Sequence, residues 1–264
     1  MSKLALLVGI EYEGTNAELR GCITDIETTK EVLETKLHYN DIVMLTDHTE
    51  VKPTKHNIMK ALIHLADRSW DEDVKQIWIS YSGHGHYKMD DDGDEDDGKD
   101  ECLCPLDYAQ NGKITDDTMN HILGLIRPDV CLTVVIDACH SGTILDLPYR
   151  YIAGKKTSVV ENPSCKVVCD AIMISGCKDD QKSQETQIVQ LDYHEAPKYA
   201  GAMTQAFLQV LKKYDYTVQA HTLILEIRKI LRNKNLRQVP QLSCTHKLDP
   251  SIMFCISNPK SFNT

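Results

Sequence analysis

Leu132-Thr133-Val134-Val135-Ile136 runs without a break into Asp137-Ala138-Cys139-His140-Ser141-Gly142. An apolar, β-branched run closed by such a turn reads as a strand buried on both faces. It delivers a cysteine to the point where strand gives way to loop. Fifty-five residues earlier, Gln76-Ile77-Trp78-Ile79-Ser80-Tyr81 ends the same way, in Ser82-Gly83-His84-Gly85. Two strand ends, one with a thiol and one with an imidazole, can meet at the same rim of a sheet. A cysteine nucleophile needs that meeting, because the thiolate attacks and a nearby imidazole takes its proton.

Outward from these runs the chain alternates strand and helix. Residues 4–10 form an apolar first strand, and Ile23, Ile26, Val32, Leu33 and Leu37 follow at helical spacing. Ile42-Val43-Met44-Leu45 is a second strand, and the spacing predicts a helix over 54–68. Helix near 116–126, strand at 171–175, helices near 202–213 and 218–232 and a last strand at 252–256 complete the reading. That rhythm predicts an α/β fold: a mostly parallel central sheet with helices on both faces. Sites in such sheets lie outside the carboxyl ends of the strands, where His84 and Cys139 both fall. The stretch 148–168 lacks periodicity and reads as a long connection.

Composition narrows the class. The chain has 264 residues, enough for one substantial core, and a formal charge of −10. That charge disfavours nucleic acid and favours basic peptides or cations. No apolar stretch approaches the roughly 18 residues of a membrane span. The ten cysteines are read as free thiols in a reducing, cytoplasmic setting. The alternative for Cys139 is a buried core thiol, but that leaves the flanking turn and the glycine-flanked His84 unexplained. His86 and His140 compete with His84 as base; His84 is preferred for its place at the strand end.

Asp90 to Glu101 holds nine acids against one lysine, a net −8. A hard cation would find oxygen ligands there, although an EF-hand is excluded because neither Gly93 nor Gly98 sits at the required loop position. Cys102-x-Cys104 and Cys165-x₃-Cys169 invite zinc, but a one-residue spacer suits tetrahedral ligation poorly.

The His-to-Cys spacing also matches caspase-like nucleophiles, whose histidine lies about 50 residues upstream. The resemblance extends along most of the chain. Leu19-Arg20-Gly21-Cys22-Ile23-Thr24-Asp25, Tyr81-Ser82-Gly83-His84-Gly85, Asp100-Glu101-Cys102 and Pro105-Leu106-Asp107-Tyr108 carry it. So do Ile114-Thr115-Asp116-Asp117, Asp137-Ala138-Cys139-His140-Ser141-Gly142-Thr143, Leu145-Asp146-Leu147-Pro148-Tyr149, Gly201-Ala202-Met203-Thr204 and Pro240-Gln241-Leu242-Ser243. On these stretches the chain resembles the catalytic domain of a type I metacaspase. The Pro- and Gln-rich N-terminal extension common in that group is expected to be absent.

The resemblance implies a caspase-haemoglobinase fold in one domain, 1–264. It is expected to divide into a large-subunit-like region (1–147), a linker (148–168) and a small-subunit-like region (169–264). It implies an endopeptidase that cuts after Arg or Lys in protein or peptide substrates, acting as a monomer away from membranes and nucleic acid. His84 and Cys139 would form the catalytic dyad, with backbone N–H groups of Gly85 and Cys139 as oxyanion donors. Asp25, Ser82 and Asp137 would line the specificity pocket, which suits a buried cation that needs carboxylate partners. Independently, Asp137 and Ser82 each precede a catalytic residue by two positions and so point to the same side. Ca²⁺ would bind Asp100, Asp116, Asp117 and Asp146. Self-cleavage would fall in the linker, at Lys155 or Lys156. A paracaspase-like peptidase of other preference is the rival enzyme; a non-proteolytic calcium- or aggregate-binding module is the rival from another class.

Overall fold

In the computed structural model, residues 1–89, 99–139, 144–151, 159–160, 165–176, 185–187, 199–247 and 253–254 are described. The chain begins with β1 (Ser2–Gly9), α1 (Cys22–Thr35), β2 (Asp41–Thr46), α2 (Lys55–Arg68) and β3 (Val74–Ser82). There follow β4 (Gly85–Met89), β5 (Lys99–Leu103), a single turn α3 (Tyr108–Asn111), β6 (Ile114–Thr115), α4 (Asp116–Leu123) and β7 (Cys131–Asp137). The last part holds β8 (Tyr149–Arg150), β9 (Val159–Val160), β10 (Asp170–Ser175), β11 (Glu185–Gln187), β12 (Tyr199–Gly201), α5 (Ala202–Lys213), α6 (Ala220–Asn233) and β13 (Gln241–Cys244).

The main sheet has eight strands in the order β2-β1-β3-β7-β10-β13-β8-β9. β2, β1, β3, β7 and β10 run parallel to their neighbours, and β13, β8 and β9 continue antiparallel. β1 shows why its sequence is a continuous apolar run. Leu4, Leu6 and Val8 pack on one face with Ile58, Leu62 and Leu65 of α2 and Met119, Ile122 and Leu123 of α4. Ala5 and Leu7 pack on the other with Ile26 and Leu33 of α1, Phe207 of α5 and Leu223 of α6. Alternate side chains thus face opposite layers, and both layers are dry. The mostly parallel α/β sheet with helices on both faces is therefore as expected. No helix among the described residues is long and apolar enough to cross a membrane.

Local signals set the helix starts. Thr54 and Thr115 are N-caps whose hydroxyls accept the amides of Asn57 and Thr118. α1 starts differently. Gly21 sits at φ 96°, and Glu11 accepts the amides of Gly21 at 2.7 Å and Ile23 at 3.3 Å. A Cβ on Gly21 would also lie 2.5 Å from the Ala200 amide nitrogen, so glycine is required by conformation and space together.

Two expectations need correction. Residues 148–168 are not a connection without regular structure: Tyr149–Arg150 pairs with β13 and with Val159–Val160, carrying Arg150 into the main sheet. Backbone pairing, rather than side-chain periodicity, holds these two-residue strands. Among the described residues the last strand is β13 at 241–244; of 252–256 only Met253 and Phe254 are described, and Met253 forms a single bridge to Gln219. His140, Lys155 and Lys156 lie outside the described residues.

Candidate active site

β3 and β7 are parallel neighbours, with Ser82 in register with Asp137. Both strands end there, and the Gly83 amide donates to the Asp137 carbonyl at 3.3 Å. His84 and Cys139 each follow two residues later, at the carboxyl rim of the sheet. The loops touch: a Cβ on Gly85 would come within 1.8 Å of the Cys139 carbonyl oxygen. Cys139 and Cys165 are partly exposed, whereas Cys22, Cys102, Cys104, Cys131, Cys169 and Cys244 are buried. Burial pushes the Cys104 thiol up to about 11 and those of Cys169 and Cys244 up to about 12. Those three stay protonated and unreactive at neutral pH.

The imidazole of His84 has two contacts, and its main chain is held as well. Its Nε2 lies 2.7 Å from the Ala17 carbonyl oxygen. A carbonyl only accepts, so Nε2 carries the hydrogen and Nδ1 is the basic nitrogen. The ring packs against Tyr12, with centroids 4.7 Å apart and planes tilted by 39°. The His84 amide donates to the Tyr12 hydroxyl at 3.0 Å, and its carbonyl accepts the Cys104 amide at 3.1 Å. The rival His86 is exposed and bonds through Nδ1 to the carbonyl of Tyr87. The partner of the His84 ring was invisible to motif reading, since a main-chain carbonyl can belong to any residue.

Asp25, Ser82 and Asp137, the residues expected to line a specificity pocket, lie close together. Asp25, Ser82 and Asp137 are all buried, at 2%, 3% and 5% exposure. The Ser82 hydroxyl donates to Asp25 Oδ2 at 2.7 Å, and the Gly201 amide donates to Asp25 Oδ1 and Oδ2 at 2.9 and 3.0 Å. Asp137 Oδ2 accepts both the amide and the hydroxyl of Thr204, each at 3.0 Å. A Cβ on Gly201 would sit 2.2 Å from Asp137 Oδ2 and 2.6 Å from Asp25 Oδ2. The two carboxylates therefore converge on one glycine at the N-terminus of α5, an end that favours negative charge. Gly201 and Thr204 had no role in the sequence reading, although the stretch containing them was among those quoted for the resemblance.

The acidic set is partly described. Asp116, at the start of α4, is 2% exposed; its Oδ2 accepts the Glu101 amide at 2.5 Å and its Oδ1 the Asp117 amide at 2.8 Å. Asp146 is 6% exposed with φ 46°, and the carbonyl of its neighbour Leu145 accepts the Asn120 side-chain amide of α4 at 2.8 Å. Asp100 lies on β5, whose Cys102 is in register with Thr115, next to Asp116. Glu101, between Asp100 and Cys102, is buried at 2% and was not singled out from sequence. The donors are hard oxygens of the kind Ca²⁺ takes. Among the described residues no ready-made group of three or more metal-ligating side chains occurs.

Comparison with known proteins agrees with this geometry. The family model for the metacaspase, peptidase C14 domain matches residues 3–148. Metacaspase-1B of Neurospora crassa is 34% identical over 95% of this chain and 68% of its own length. Metacaspase-1 of Yarrowia lipolytica is 35% identical over 96% of this chain and 63% of its own. Metacaspase-1 of Botryotinia fuckeliana is 35% identical over 95% of this chain and 69% of its own. The chain thus spans about two thirds of the length of these relatives. The crystal structure of protein GSU0716 from Geobacter sulfurreducens matches in fold, with a TM-score of 0.67 over the whole of both chains at 23% identity. A thiol and an imidazole at adjoining strand ends, on a sheet of this order and in a sequence this close to these relatives, place the chain in the metacaspase family of caspase-like cysteine peptidases.

Proposed function

We propose that this protein is a calcium-activated endopeptidase that cuts after Arg or Lys, with Cys139 as nucleophile and His84 as base. The carrying observation is the convergence of two buried carboxylates, Asp25 and Asp137, beside the strand ends that bear the thiol and imidazole. A guanidinium or ammonium entering such a pocket exchanges its hydration for charge-assisted hydrogen bonds. An acidic side chain would meet two like charges instead.

The chemistry follows from the groups on the rim. Nε2 of His84 is tied to the Ala17 carbonyl, so Nδ1 takes the proton of Cys139. The thiolate attacks the carbonyl carbon after the basic residue, and amides of Gly85 and Cys139 would receive the oxyanion. The imidazolium then protonates the departing amine, leaving a thioacyl-enzyme. Water, deprotonated by the same imidazole, releases the acid. Arg, Lys and Asp reporter peptides test the preference. Cleavage of the first two, loss of it in Cys139→Ala and none of the Asp peptide are expected; equal cleavage of all three would refute the pocket.

Asp100, Asp116, Asp117 and Asp146 would hold Ca²⁺, whose charge would draw the acidic segments together beside the cleft. An added ion at about a hundred times its Kd stabilises by about 2.7 kcal/mol. Calcium is therefore expected to raise the melting temperature by several degrees and chelator to lower activity, with both responses lost in Asp146→Asn. An unchanged melting curve with and without calcium would count against the site. Self-cleavage is proposed at Lys155 or Lys156; mass spectrometry after calcium addition should show it in wild type and not in Cys139→Ala.

A further inference from the structure

Tyr12 lies seventy-two residues before the histidine it touches, in the loop between β1 and α1. Its backbone is left-handed at φ 52°, a conformation bulky side chains seldom adopt, and it is 1% exposed. Such a conformation persists where surrounding contacts over-determine it, and it clusters at functional sites. Here the contacts are to the catalytic imidazole. The Tyr12 ring lies 4.7 Å from the His84 ring, and its hydroxyl accepts the His84 amide at 3.0 Å while donating to the Cys104 carbonyl at 2.5 Å. The Tyr81 hydroxyl, 3.1 Å away, lies 2.9 Å from the His84 carbonyl, to which it can donate. The same loop carries Ala17, whose carbonyl holds Nε2.

We propose that Tyr12 is a positioning residue for the peptidase reaction: its hydroxyl pins the His84 backbone while its ring face supports the imidazole that serves Cys139. This rests on the reading of His84 and Cys139 as base and nucleophile. When the imidazole takes the thiol proton it becomes a cation lying against an aromatic face, a favourable contact in a water-poor setting. The titratable groups around Tyr12 are Tyr81 on β3, Cys22 on α1, Cys104 after β5, Tyr108 on α3 and His84 itself. Burial holds the Tyr12 phenol far above its usual range, so it stays neutral at any assay pH and acts through geometry, not proton transfer.

Two variants separate the parts. Tyr12→Phe keeps the ring and loses the hydroxyl; Tyr12→Leu loses both. Each is compared with wild type for kcat and KM on the reporter peptide that wild type cleaves, in calcium. Thermal melting and the pH 6 iodoacetamide alkylation rate of the Cys139 peptide complete the set. Tyr12→Phe is expected to lose about tenfold in kcat, the scale of the lost hydrogen bond to the His84 amide, with KM and alkylation near wild type. Tyr12→Leu is expected to lose about 100-fold in kcat, the lower range for a general base, with KM nearly unchanged. Its Cys139 alkylation at pH 6 should also slow several-fold, because the thiolate–imidazolium pair has lost support.

A Tyr12→Leu protein that melts cooperatively and keeps wild-type kcat and alkylation overturns the proposal. If Tyr12→Leu does not fold, Tyr12→Phe decides, and full kcat in it overturns the proposal. A lower melting point with unchanged kcat and alkylation also overturns it, since that is a structural role alone. His84→Ala distinguishes the two readings: if it hydrolyses and alkylates like wild type, the assignment of the base has failed first.

Discussion

Gly85→Ala is expected to abolish most activity while leaving Cys139 and His84 chemically intact. The new methyl would fall 1.8 Å from the Cys139 carbonyl oxygen and 2.9 Å from its carbonyl carbon. Both are main-chain atoms, so no flexible side chain can swing aside. The loop after β3 and the loop after β7 must separate, and they carry His84 and Cys139, the proposed base and nucleophile. A misplacement of about 1 Å in a reacting pair costs about 100-fold in rate, and overpacking of this kind costs about 1–3 kcal/mol of stability. Reporter-peptide kcat/KM should therefore fall at least that far, and the melting temperature should fall by several degrees. Wild-type kcat/KM in a folded Gly85→Ala protein would mean that the two loops do not meet in solution.

Neutralising the pocket should have an effect of similar size with a different signature. Both Thr204 donors reach the same oxygen of Asp137. In Asp137→Asn the amide oxygen can occupy that position and keep both of these hydrogen bonds while the charge is lost. Removing one partner of a buried charge pair costs about 3–5 kcal/mol. Cleavage after Arg should accordingly fall by about 10² to 10⁴ in kcat/KM. At Asp25 both oxygens accept, from Ser82 and from the Gly201 amide. An amide there must turn its NH₂ toward a donor, and a buried unmet donor costs about 1–3 kcal/mol. Asp25→Asn should lose the same activity and melt several degrees lower as well. An Asp137→Asn protein that cleaves Arg peptides at the wild-type rate would show that this carboxylate does not read the substrate.

Several features were legible in the linear chain because each is a local consequence of composition. β1, β3 and β7 are covered on both faces, so each carries an apolar run that stands out. α2 announces itself through apolar spacing, with Ile58, Leu62 and Leu65 on its buried face. The thiol and imidazole could be placed together because they end strands that lie side by side in a parallel sheet. Asp137 and Ser82 could be aimed at the site by strand alternation alone.

Other features depended on how distant segments pack. A polar residue in the first turn of a helix ordinarily faces water, yet Asp25 is buried because β12 and α5 close over it. Gly201 is 176 residues from Asp25 and meets it only once α5 has docked. Ala17 supplies a carbonyl, which every residue possesses, so its side chain carries no trace of the role. Tyr12 looks like any buried aromatic until its left-handed backbone turns the ring onto His84. β8 and β9 are two residues each, too short for periodicity, and exist because neighbouring backbone offers hydrogen bonds. The sequence by itself thus determined which elements form and which chemistry the strand ends carry, since periodicity and residue type are local. Tertiary packing alone decided what surrounds that chemistry, because main-chain partners and long-range neighbours leave no pattern along the chain.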